Sequence, residues 1–375
     1  MRNRASSNAP ASGVQGPVTL ETDSFELFTE GDTLYDAMLA SIAEAREHVL
    51  LESYIFAADE VGRRFADCLI ETAARGVIVR LHLDAAGSLF WHANRLSKQL
   101  RGSGVKLRWF HRWDWRHPWR YNRRNHRKLL VIDGNCAYVG GFNIHRESSF
   151  RFYGQQRWRD IHIRVRGPLA REAMRLFGYF WMGRKRRAGA HSVGSGDMLL
   201  SNYSRGARRL LNGSFTSMLS HARHTIFITT PYFVPQRRIQ RQIADAATRG
   251  VDVRLLVPLK SDVRLAQWAA RAAYAPMLAC GVRIFEYQPR LLHAKAIVVD
   301  AGHATVGTAN FDYRSFFLNY ELNLFSRNPY LCHELDRVFR EDLAHSEEIL
   351  GERWSRRPWT HKLLELIGWM ARRWL

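Results

Sequence analysis

Apolar residues change their spacing along the chain in a way that predicts alternating helices and strands. Over residues 33–47 they recur every four positions, at Leu34, Met38 and Ile42, which is the period of an amphipathic helix. Residues 49–56 form a nearly continuous apolar run, which is typical of a strand buried inside a sheet. Helical and strand segments follow one another in this order along both halves of the chain. The pattern predicts the α/β class, with helices layered on mostly parallel sheets.

The chain also repeats itself over a long period. Residues 74–81 read ARGVIVRL and residues 248–255 read TRGVDVRL, while residues 50–56 and 228–234 match in residue type. Because the matching segments keep the same order in both halves, and because the period is far longer than that of a solenoid repeat, the sequence predicts two duplicated domains.

Changes in composition indicate where these domains begin and end. Residues 1–18 are rich in Ser, Ala, Asn and Gly and contain no apolar segment, so we expect a disordered tail there. The first domain is predicted over residues 19–185 and the second over residues 203–350. Between them, residues 186–202 begin within a basic run at 184–187 and are rich in small residues, which suits an exposed linker.

Residues 351–375 are predicted to form a basic, amphipathic C-terminal tail. After a proline, Leu363, Ile367, Met370 and Trp374 share one stripe of the helix that this tail can form. Tryptophan together with basic residues suits the headgroup region of a membrane. Packing of the same helix against the body of the protein is the alternative, and the sequence leaves both open.

The overall charge is strongly positive, at +21. Such a surface attracts polyanions, either nucleic acid or the anionic face of a membrane, and charge alone does not choose between them. The chain contains no run of about 18 apolar residues, so we expect no membrane-spanning helix and only peripheral membrane contact. The four cysteines are scattered without the close pairs of a zinc site, so we expect no structural metal.

One short pattern, H-x-K-x-x-x-x-D, occurs once in each half. The first copy consists of His126, Lys128 and Asp133, and the second of His293, Lys295 and Asp300. Side chains two residues apart on a strand point to the same face. Each half is therefore predicted to project one histidine and one lysine, and the duplication would bring both pairs to one cleft.

Two histidines and two lysines are suited to exchange at a phosphodiester. The lysines can neutralise the non-bridging oxygens, while one histidine attacks phosphorus and the other gives a proton to the leaving alkoxide. A covalent phosphohistidine would divide the reaction into two steps. We expect no cofactor and no metal, because the lysines and a protonated histidine supply the positive charge.

The residues that follow each motif allow two interpretations. Asp133 and Asp300 are candidates for a catalytic role, but both lie where a hairpin turns, and aspartate in a turn is commonly structural. Asn143 and Asn310 end the tails of the two motifs. Their side chains could donate hydrogen bonds to a phosphate oxygen or could cap the turn.

Two other acidic residues are candidates for orienting the histidines. Asp160 and Glu321 each end a short segment that contains an aromatic residue and follows one motif. A carboxylate that accepts a hydrogen bond from Nδ1 of a histidine fixes its tautomer and makes the ring more basic. An ordinary surface carboxylate is the alternative in each case.

With these motifs, the chain resembles the phospholipase D superfamily, which two H-x-K-x-x-x-x-D motifs define. The resemblance extends from about residue 22 to residue 351. Residues 230–235 (TPYFVP) and 307–321 (GTANFDYRSFFLNYE) are most similar to bacterial cardiolipin synthases. The resemblance implies two phospholipase D-like α/β/α sandwich domains with the active site at their interface. By analogy His126 would be the nucleophile and His293 the acid and base, although the symmetric duplication itself leaves this open.

The resemblance also implies an activity and a location. It implies a cardiolipin synthase-like transphosphatidylase, which passes a phosphatidyl group through histidine to the hydroxyl of phosphatidylglycerol, on the cytoplasmic face of the bacterial cell membrane. No nucleic acid would be obligatory, and the oligomeric state is left open. A hydrolase or a nuclease of the same superfamily is the alternative. A basic binding protein with a relict site is disfavoured by the intact motifs.

Overall fold

A computed structural model of the chain describes residues 23–183 and 196–372. The tail predicted at residues 1–18 and the basic run at residues 184–187 lie outside the described residues, as does Trp374. Within the described residues, each half of the chain forms one β-sheet covered by helices, as the hydrophobic pattern predicted.

The first half contains a seven-stranded sheet. Its strands are β1 (Ser24–Phe28), β2 (His48–Ser53), β3 (Ile78–Asp84), β4 (Lys106–Phe110), β5 (Leu129–Ile132), β6 (Cys136–Gly140) and β7 (His162–Arg166). They lie in the order β1-β7-β6-β5-β2-β3-β4 across the sheet. The run of apolar residues that predicted a strand at 49–56 forms β2, which is buried along most of its length.

The second half repeats this sheet and adds a strand. Its strands are β8 (Met198–Ser201), β9 (Thr225–Thr229), β10 (Asp252–Pro258), β11 (Arg283–Tyr287), β12 (Ala296–Val299), β13 (His303–Gly307), β14 (Leu322–Ser326) and β15 (Ser346–Glu348). They lie in the order β15-β11-β10-β9-β12-β13-β14-β8, which matches the first sheet strand for strand apart from β15. β8 lies inside the segment predicted as a linker at 186–202, so that prediction extended too far toward the C-terminus.

Both sheets are mixed rather than mostly parallel. β2, β3 and β4 are parallel to one another, as are β9, β10 and β11, because helices connect them. The motif strands β5 and β12 instead pair antiparallel with their neighbours β6 and β13 across three-residue turns. A turn this short can join only antiparallel strands, and the hydrophobic pattern does not report strand direction.

Helices cover both faces of each sheet. They are α1 (Gly31–Glu44), α2 (Glu60–Ala74), α3 (Ala85–Phe90), α4 (Asn94–Gly102), α5 (Pro118–Tyr121), α6 (Phe150–Tyr153), α7 (Pro168–Trp181), α8 (Arg205–Ser220), α9 (Arg237–Thr248), α10 (Arg264–Ala272), α11 (Tyr274–Ala279), α12 (Tyr313–Phe317), α13 (Pro329–Ala344), α14 (Gly351–Ser355) and α15 (Trp359–Ala371). The apolar stripe that predicted a helix at 33–47 forms α1, with Leu34, Met38 and Ile42 buried.

α7 and α13 join the two halves into one core. α7 packs on β5, β6 and β7 and also contacts β8 of the other sheet, while α13 packs on β12 and β13 and contacts β1. Val139, Phe177, Val306 and Leu335 belong to the same buried cluster, which therefore contains residues from both halves. This shared core fixes how the duplicated halves face each other.

The C-terminal tail forms α14 and α15, and α15 packs against α10 on the surface of the second half. Packing on the body was one of the two alternatives that the sequence left open. Within the described ranges, none of the helices is both long and apolar enough to cross a bilayer.

Candidate active site

The two motifs meet at the edge where the parallel strands of both sheets end. Leu129, which follows Lys128, pairs with Glu52 at the carboxyl end of β2. Ala296, which follows Lys295, pairs with Thr229 at the carboxyl end of β9. In α/β sheets this edge is where ligands usually bind, because loops and helix N-termini converge there.

Each motif is held by the opposite half of the chain. The backbone N–H of His126 donates to the carbonyl of Tyr320 at 3.0 Å, and that of His293 donates to the carbonyl of Arg159 at 2.7 Å. The exchange is reciprocal, as in a two-fold symmetric dimer in which the same patch is used twice. The duplication therefore places the two histidine segments side by side.

A buried carboxylate from the opposite half binds each histidine ring. Nδ1 of His126 lies 3.0 Å from Oε2 of Glu321, and Nδ1 of His293 lies 2.5 Å from Oδ2 of Asp160. With Nδ1 donating to the carboxylate, Nε2 of each ring is the nitrogen left for chemistry in the cleft. Asp160 and Glu321 thus occupy the orienting positions considered from the sequence.

The two carboxylates have different neighbours at one matching position of the repeat, which is Gly141 in the first half and Thr308 in the second. Gly141 lies against Asp160, and a Cβ at this position would come within 1.9 Å of its Oδ1. Only glycine leaves room for that carboxylate. The matching position in the second half is Thr308, whose hydroxyl donates to Glu321 at 2.5 Å, and Ser315 donates to the same carboxylate at 2.8 Å.

The motif lysines are buried beside the histidines. Nζ of Lys128 donates to the carbonyl of His126 at 2.9 Å, and Nζ of Lys295 lies 3.6 Å from Asp160. Burial, together with the nearby charge of Lys295, lowers the pKa of Lys128 to about 7. Burial likewise lowers the pKa of Lys295. Two ammonium groups this close form a site suited to an anion with more than one charged oxygen.

Both motif histidines favour the neutral form. Burial, reinforced by the charge of Lys295, lowers the pKa of His293 to about 4 against the opposing effect of Asp160. Burial also lowers the pKa of His126, although Glu321 opposes the shift. For the two carboxylates, burial acts to raise the pKa, but the cationic neighbours outweigh it and the pKa of each falls below its ordinary range.

The cleft between the motifs has a volume of about 280 Å³. Its lining includes four residues that the sequence singled out, which are His126, His293, Asn143 and Asn310. It also includes residues that were not considered, among them Tyr54, Trp158, Tyr232, Asp262, Asp312 and Arg314. Tyr54 and Tyr232 stand in the matched segments 50–56 and 228–234, so the repeat itself could have identified them. Nothing in the sequence distinguishes Asp262.

The asparagines lie in the cleft with different partners. Oδ1 of Asn143 accepts from the backbone N–H of Ile55 at 3.2 Å, which leaves its amide NH₂ as the group that a ligand could use. The backbone N–H of Asn310 donates to Ser315, and its side chain interacts with Asp312. Burial raises the pKa of Asp312 to about 6. Asn143 is therefore the better placed of the two to donate to a phosphate oxygen.

Asp133 and Asp300 lie away from the cleft, at the far ends of β5 and β12. Asp133 accepts hydrogen bonds from the backbone N–H groups of Arg46, Glu47 and His48, and its own φ of 49° is in the left-handed region. Asp300 binds three successive N–H groups in the same way, at residues 223–225, with a φ of 51°. Their placement fits the structural alternative that the sequence left open.

No cluster of three or more His, Cys, Asp or Glu side chains arranged to hold a metal ion occurs among the described residues. The polar groups that line the cleft include two imidazoles, amides and carboxylates, and the two lysine ammonium groups are buried beside the imidazoles. This set can bind a phosphodiester anion, attack it, and move protons to and from an alcohol oxygen.

The comparisons with known proteins agree with this geometry. The family described as "Cardiolipin synthase, PLD-like domain" matches residues 38–181 and 215–343. A cardiolipin synthase of Geobacillus kaustophilus (strain HTA426) is 34% identical to the chain over 372 residues, covering 94% of this chain and 72% of that protein. A cardiolipin synthase of Listeria innocua serovar 6a is 33% identical over 368 residues, covering 94% of this chain and 76% of that protein.

Solved structures of other proteins share the fold. Phosphatidylserine synthase from Haemophilus influenzae Rd KW20 is similar with a TM-score of 0.68 and 14% identity, over 94% of this chain and 95% of that one. Polyphosphate kinase from Porphyromonas gingivalis is similar with a TM-score of 0.62 and 15% identity, over 88% of this chain and 49% of that one. At such low identities the similarity concerns the fold alone.

The chain belongs to the cardiolipin synthase family of phospholipase D-like proteins. This membership confirms the family and the two-domain fold predicted from the repeated motif. It also confirms the predicted enzyme class, a phospholipase D-type phosphatidyltransferase.

Proposed function

We propose that this protein is a cardiolipin synthase that transfers a phosphatidyl group between two phosphatidylglycerol molecules through a phosphohistidine. One observation carries the proposal. Two histidines from separate halves, His126 and His293, line one cleft, and each is bound at Nδ1 by a carboxylate of the other half. Relatives that are named cardiolipin synthases support the choice of lipid.

In the first step, Nε2 of His126 attacks the phosphorus of the donor lipid. A P–N bond forms and the P–O bond to the headgroup glycerol breaks, while His293 gives its proton to the departing oxygen. Lys128 and Lys295 neutralise the non-bridging oxygens. The negative charge of the bound lipid raises the pKa of His293, because a nearby negative charge favours the imidazolium.

In the second step, the hydroxyl of another phosphatidylglycerol attacks the phosphorus. His293, now neutral, takes the proton of that hydroxyl, the P–N bond breaks, and His126 is regenerated. Glu321 stabilises the phosphorylated ring, which is positively charged while Nδ1 keeps its proton. The products are one cardiolipin and one glycerol, and the enzyme returns to its starting protonation state.

The assignment of His126 as nucleophile and His293 as acid and base is part of the proposal. The two histidines are related by the duplication, and each is bound at Nδ1 by a buried carboxylate of the other half. The proposal also places the enzyme as a peripheral protein on the cytoplasmic face of a bacterial membrane, where an anionic lipid substrate and a basic protein attract each other.

Incubation of the purified protein with phosphatidylglycerol in detergent micelles tests the proposed function. We expect mass spectrometry to detect cardiolipin and glycerol, with neither formed by His126→Ala or His293→Ala. Phosphatidic acid as the only product would instead identify a hydrolase. No turnover of lipid, together with cleavage of DNA, would identify a nuclease.

The same reaction identifies the nucleophile. An alkaline quench preserves a phosphohistidine, so a peptide carrying the phosphatidyl group on residue 126 is expected after brief incubation. Modification of residue 293 instead would reverse the two assigned roles.

A further inference from the structure

The C-terminal helix α15 presents its apolar side to solvent. Trp359, Leu363, Leu366, Ile367 and Met370 have exposed fractions of 73%, 49%, 52%, 40% and 63%. At 100° per residue these five positions fall on one stripe of the helix, called here the α15 stripe. A surface helix of a globular protein normally buries such a stripe against the core, so this orientation is unusual.

The opposite side of α15 is the one that packs on the body. Glu365 and Gly368 are its buried residues, and a Cβ at Gly368 would lie 2.4 Å from the backbone nitrogen of Ala269 in α10. Both carboxylate oxygens of Glu365 accept from Arg357, at 2.8 and 2.6 Å. Close backbone contact and a bidentate ion pair therefore hold α15 in place and turn the α15 stripe outward.

The helix beneath α15 borders the mouth of the cleft. Ala266 of α10 and the preceding Val263 both line the cavity that contains the two histidines. α10 follows β10, whose carboxyl end belongs to the edge at which the motifs meet. α15 therefore packs on the helix that borders the entrance to the site, on the side of the second half.

A second apolar group lies beside the entrance on the side of the first half. Trp113 and Trp115, in the segment between β4 and α5, have exposed fractions of 64% and 75%. Trp113 packs on the ring of Tyr121, at the end of α5, with the ring centroids 5.3 Å apart. Arg314, one of the residues that line the cleft, donates to the side chain of the next residue, Asn122, at 3.0 Å and to its carbonyl at 2.7 Å. One of the exposed tryptophans is therefore connected, through Tyr121 and Asn122, to the lining of the cleft.

We propose that the α15 stripe, together with Trp113 and Trp115, is a membrane-docking surface that inserts into the headgroup region of an anionic bilayer. The inference rests on the proposed function in one respect, because it takes the substrate to be a lipid that stays in the membrane. Docked this way, the cleft mouth faces the lipid surface, and a phosphatidyl group reaches His126 without its acyl chains crossing water.

Charge decides in favour of a bilayer over a second copy of the chain. Lys362 and Arg356 are exposed beside the α15 stripe, and Arg112 and Arg116 flank the two tryptophans. The whole chain carries a charge of +21, so two copies repel each other while an anionic lipid surface attracts either one. Tryptophan and basic residues around an apolar stripe match the composition of interfacial helices.

Replacement of stripe residues tests the surface directly. In Leu363→Gln/Ile367→Gln, both substituted side chains are exposed, so the fold should be retained. The matched control is Ile78→Gln/Tyr330→Gln, whose side chains are exposed to 41% and 52% at the first residue of β3 and in the first turn of α13, away from the cleft. Cosedimentation with vesicles of phosphatidylglycerol and phosphatidylcholine measures binding, and circular dichroism checks the fold.

We expect the stripe variant to bind these vesicles at least about tenfold more weakly, and the control to bind like the unaltered protein. Turnover in detergent micelles should stay within about twofold in both, because micelles deliver lipid without docking. Equal vesicle binding by all three proteins would overturn the proposal. Dissociation of a dimer by the stripe variant in analytical ultracentrifugation would also overturn it, by showing that a second copy covers the stripe.

Vesicle binding and micelle turnover are separate readouts, so the two proposals can fail separately. If the unaltered protein makes no cardiolipin in micelles, the proposed function fails, whatever the vesicles show. If it makes cardiolipin and the stripe variant still binds vesicles normally, only the docking surface is refuted.

Discussion

Glu321→Gln is the substitution that most directly tests the exchange of carboxylates between the halves. Glutamine keeps the size and shape of the side chain but removes its charge. The buried carboxylate lies 3.0 Å from Nδ1 of His126, and the proposed intermediate places a positive charge on that ring. The substitution therefore affects the phosphorylated state far more than it affects lipid binding.

The expected magnitude follows from this distance. Two unit charges 3.0 Å apart, at an effective permittivity of about 20, interact by about 5.5 kcal/mol. The charge is spread over two oxygens and the amide dipole of glutamine remains, so we take about 4 kcal/mol as the loss. At about 1.4 kcal/mol per factor of ten, kcat should fall roughly a thousandfold. KM should change by less than about threefold, because the interaction develops only after binding.

Steady-state turnover in micelles provides the assay. Glu147→Gln is a matched control, because Glu147 binds Nδ1 of His145 at 2.8 Å but His145 does not line the cleft. Its kcat should stay within about threefold. The glutamine at 321 disturbs the donors Thr308 and Ser315, so Glu321→Gln should also lose about 1–3 kcal/mol of stability and be assayed well below its melting temperature. A fall in kcat of less than about tenfold would refute the reasoning.

Other predictions concern single features of the site. Asp133→Ala should lower the melting temperature by several degrees, because three hydrogen bonds to backbone N–H groups are lost. The kcat of the folded enzyme should stay within about threefold. A large fall in kcat with an unchanged melting temperature would show that Asp133 is catalytic. Asp133→Asn should melt closer to the unaltered protein, because asparagine tolerates the left-handed backbone. Because the pKa of Lys128 is lowered to about 7, its ammonium form is lost as the pH rises through 7. Inhibition of turnover by sulfate should therefore weaken about tenfold for each pH unit above 7. Inhibition that does not change with pH would contradict the lowered pKa of Lys128. EDTA should leave turnover unchanged. A strict requirement for metal would contradict the proposal that Lys128 and Lys295 supply the positive charge that binds the phosphate.

Much of the fold could be predicted because it depends on local spacing. The four-residue recurrence of Leu34, Met38 and Ile42 gave α1 to within a few residues, and the apolar run after it gave β2. The repeated segments gave the duplication. The direction of β5 and β12 was not available from spacing, because an apolar run reads the same whether its strand is parallel or antiparallel.

Some features could not be assigned correctly from the sequence, because the same residue pattern is compatible with two different structures. The apolar residues of β8 stand among the small residues of a predicted linker, and only pairing with β14 shows that they form a sheet edge. The amphipathic C-terminal helix was predicted, with Leu363 and Ile367 on one stripe. Its orientation depends on Gly368, which packs closely on α10, and a helical pattern does not reveal which side has a partner.

The sequence by itself determined the chemical groups of the site and their local geometry. The spacing of His126 and Lys128, and of His293 and Lys295, predicts that each pair shares one face of an extended segment, because side chains alternate along an extended backbone. In the structure these segments lead directly into β5 and β12. Tertiary structure alone decided that Glu321 accepts a hydrogen bond from His126, 195 positions away in the chain, and that Asp160 accepts one from His293, 133 positions away. Packing of the two halves around α7 and α13 makes these pairs, and contacts between distant segments leave no periodic trace in the sequence.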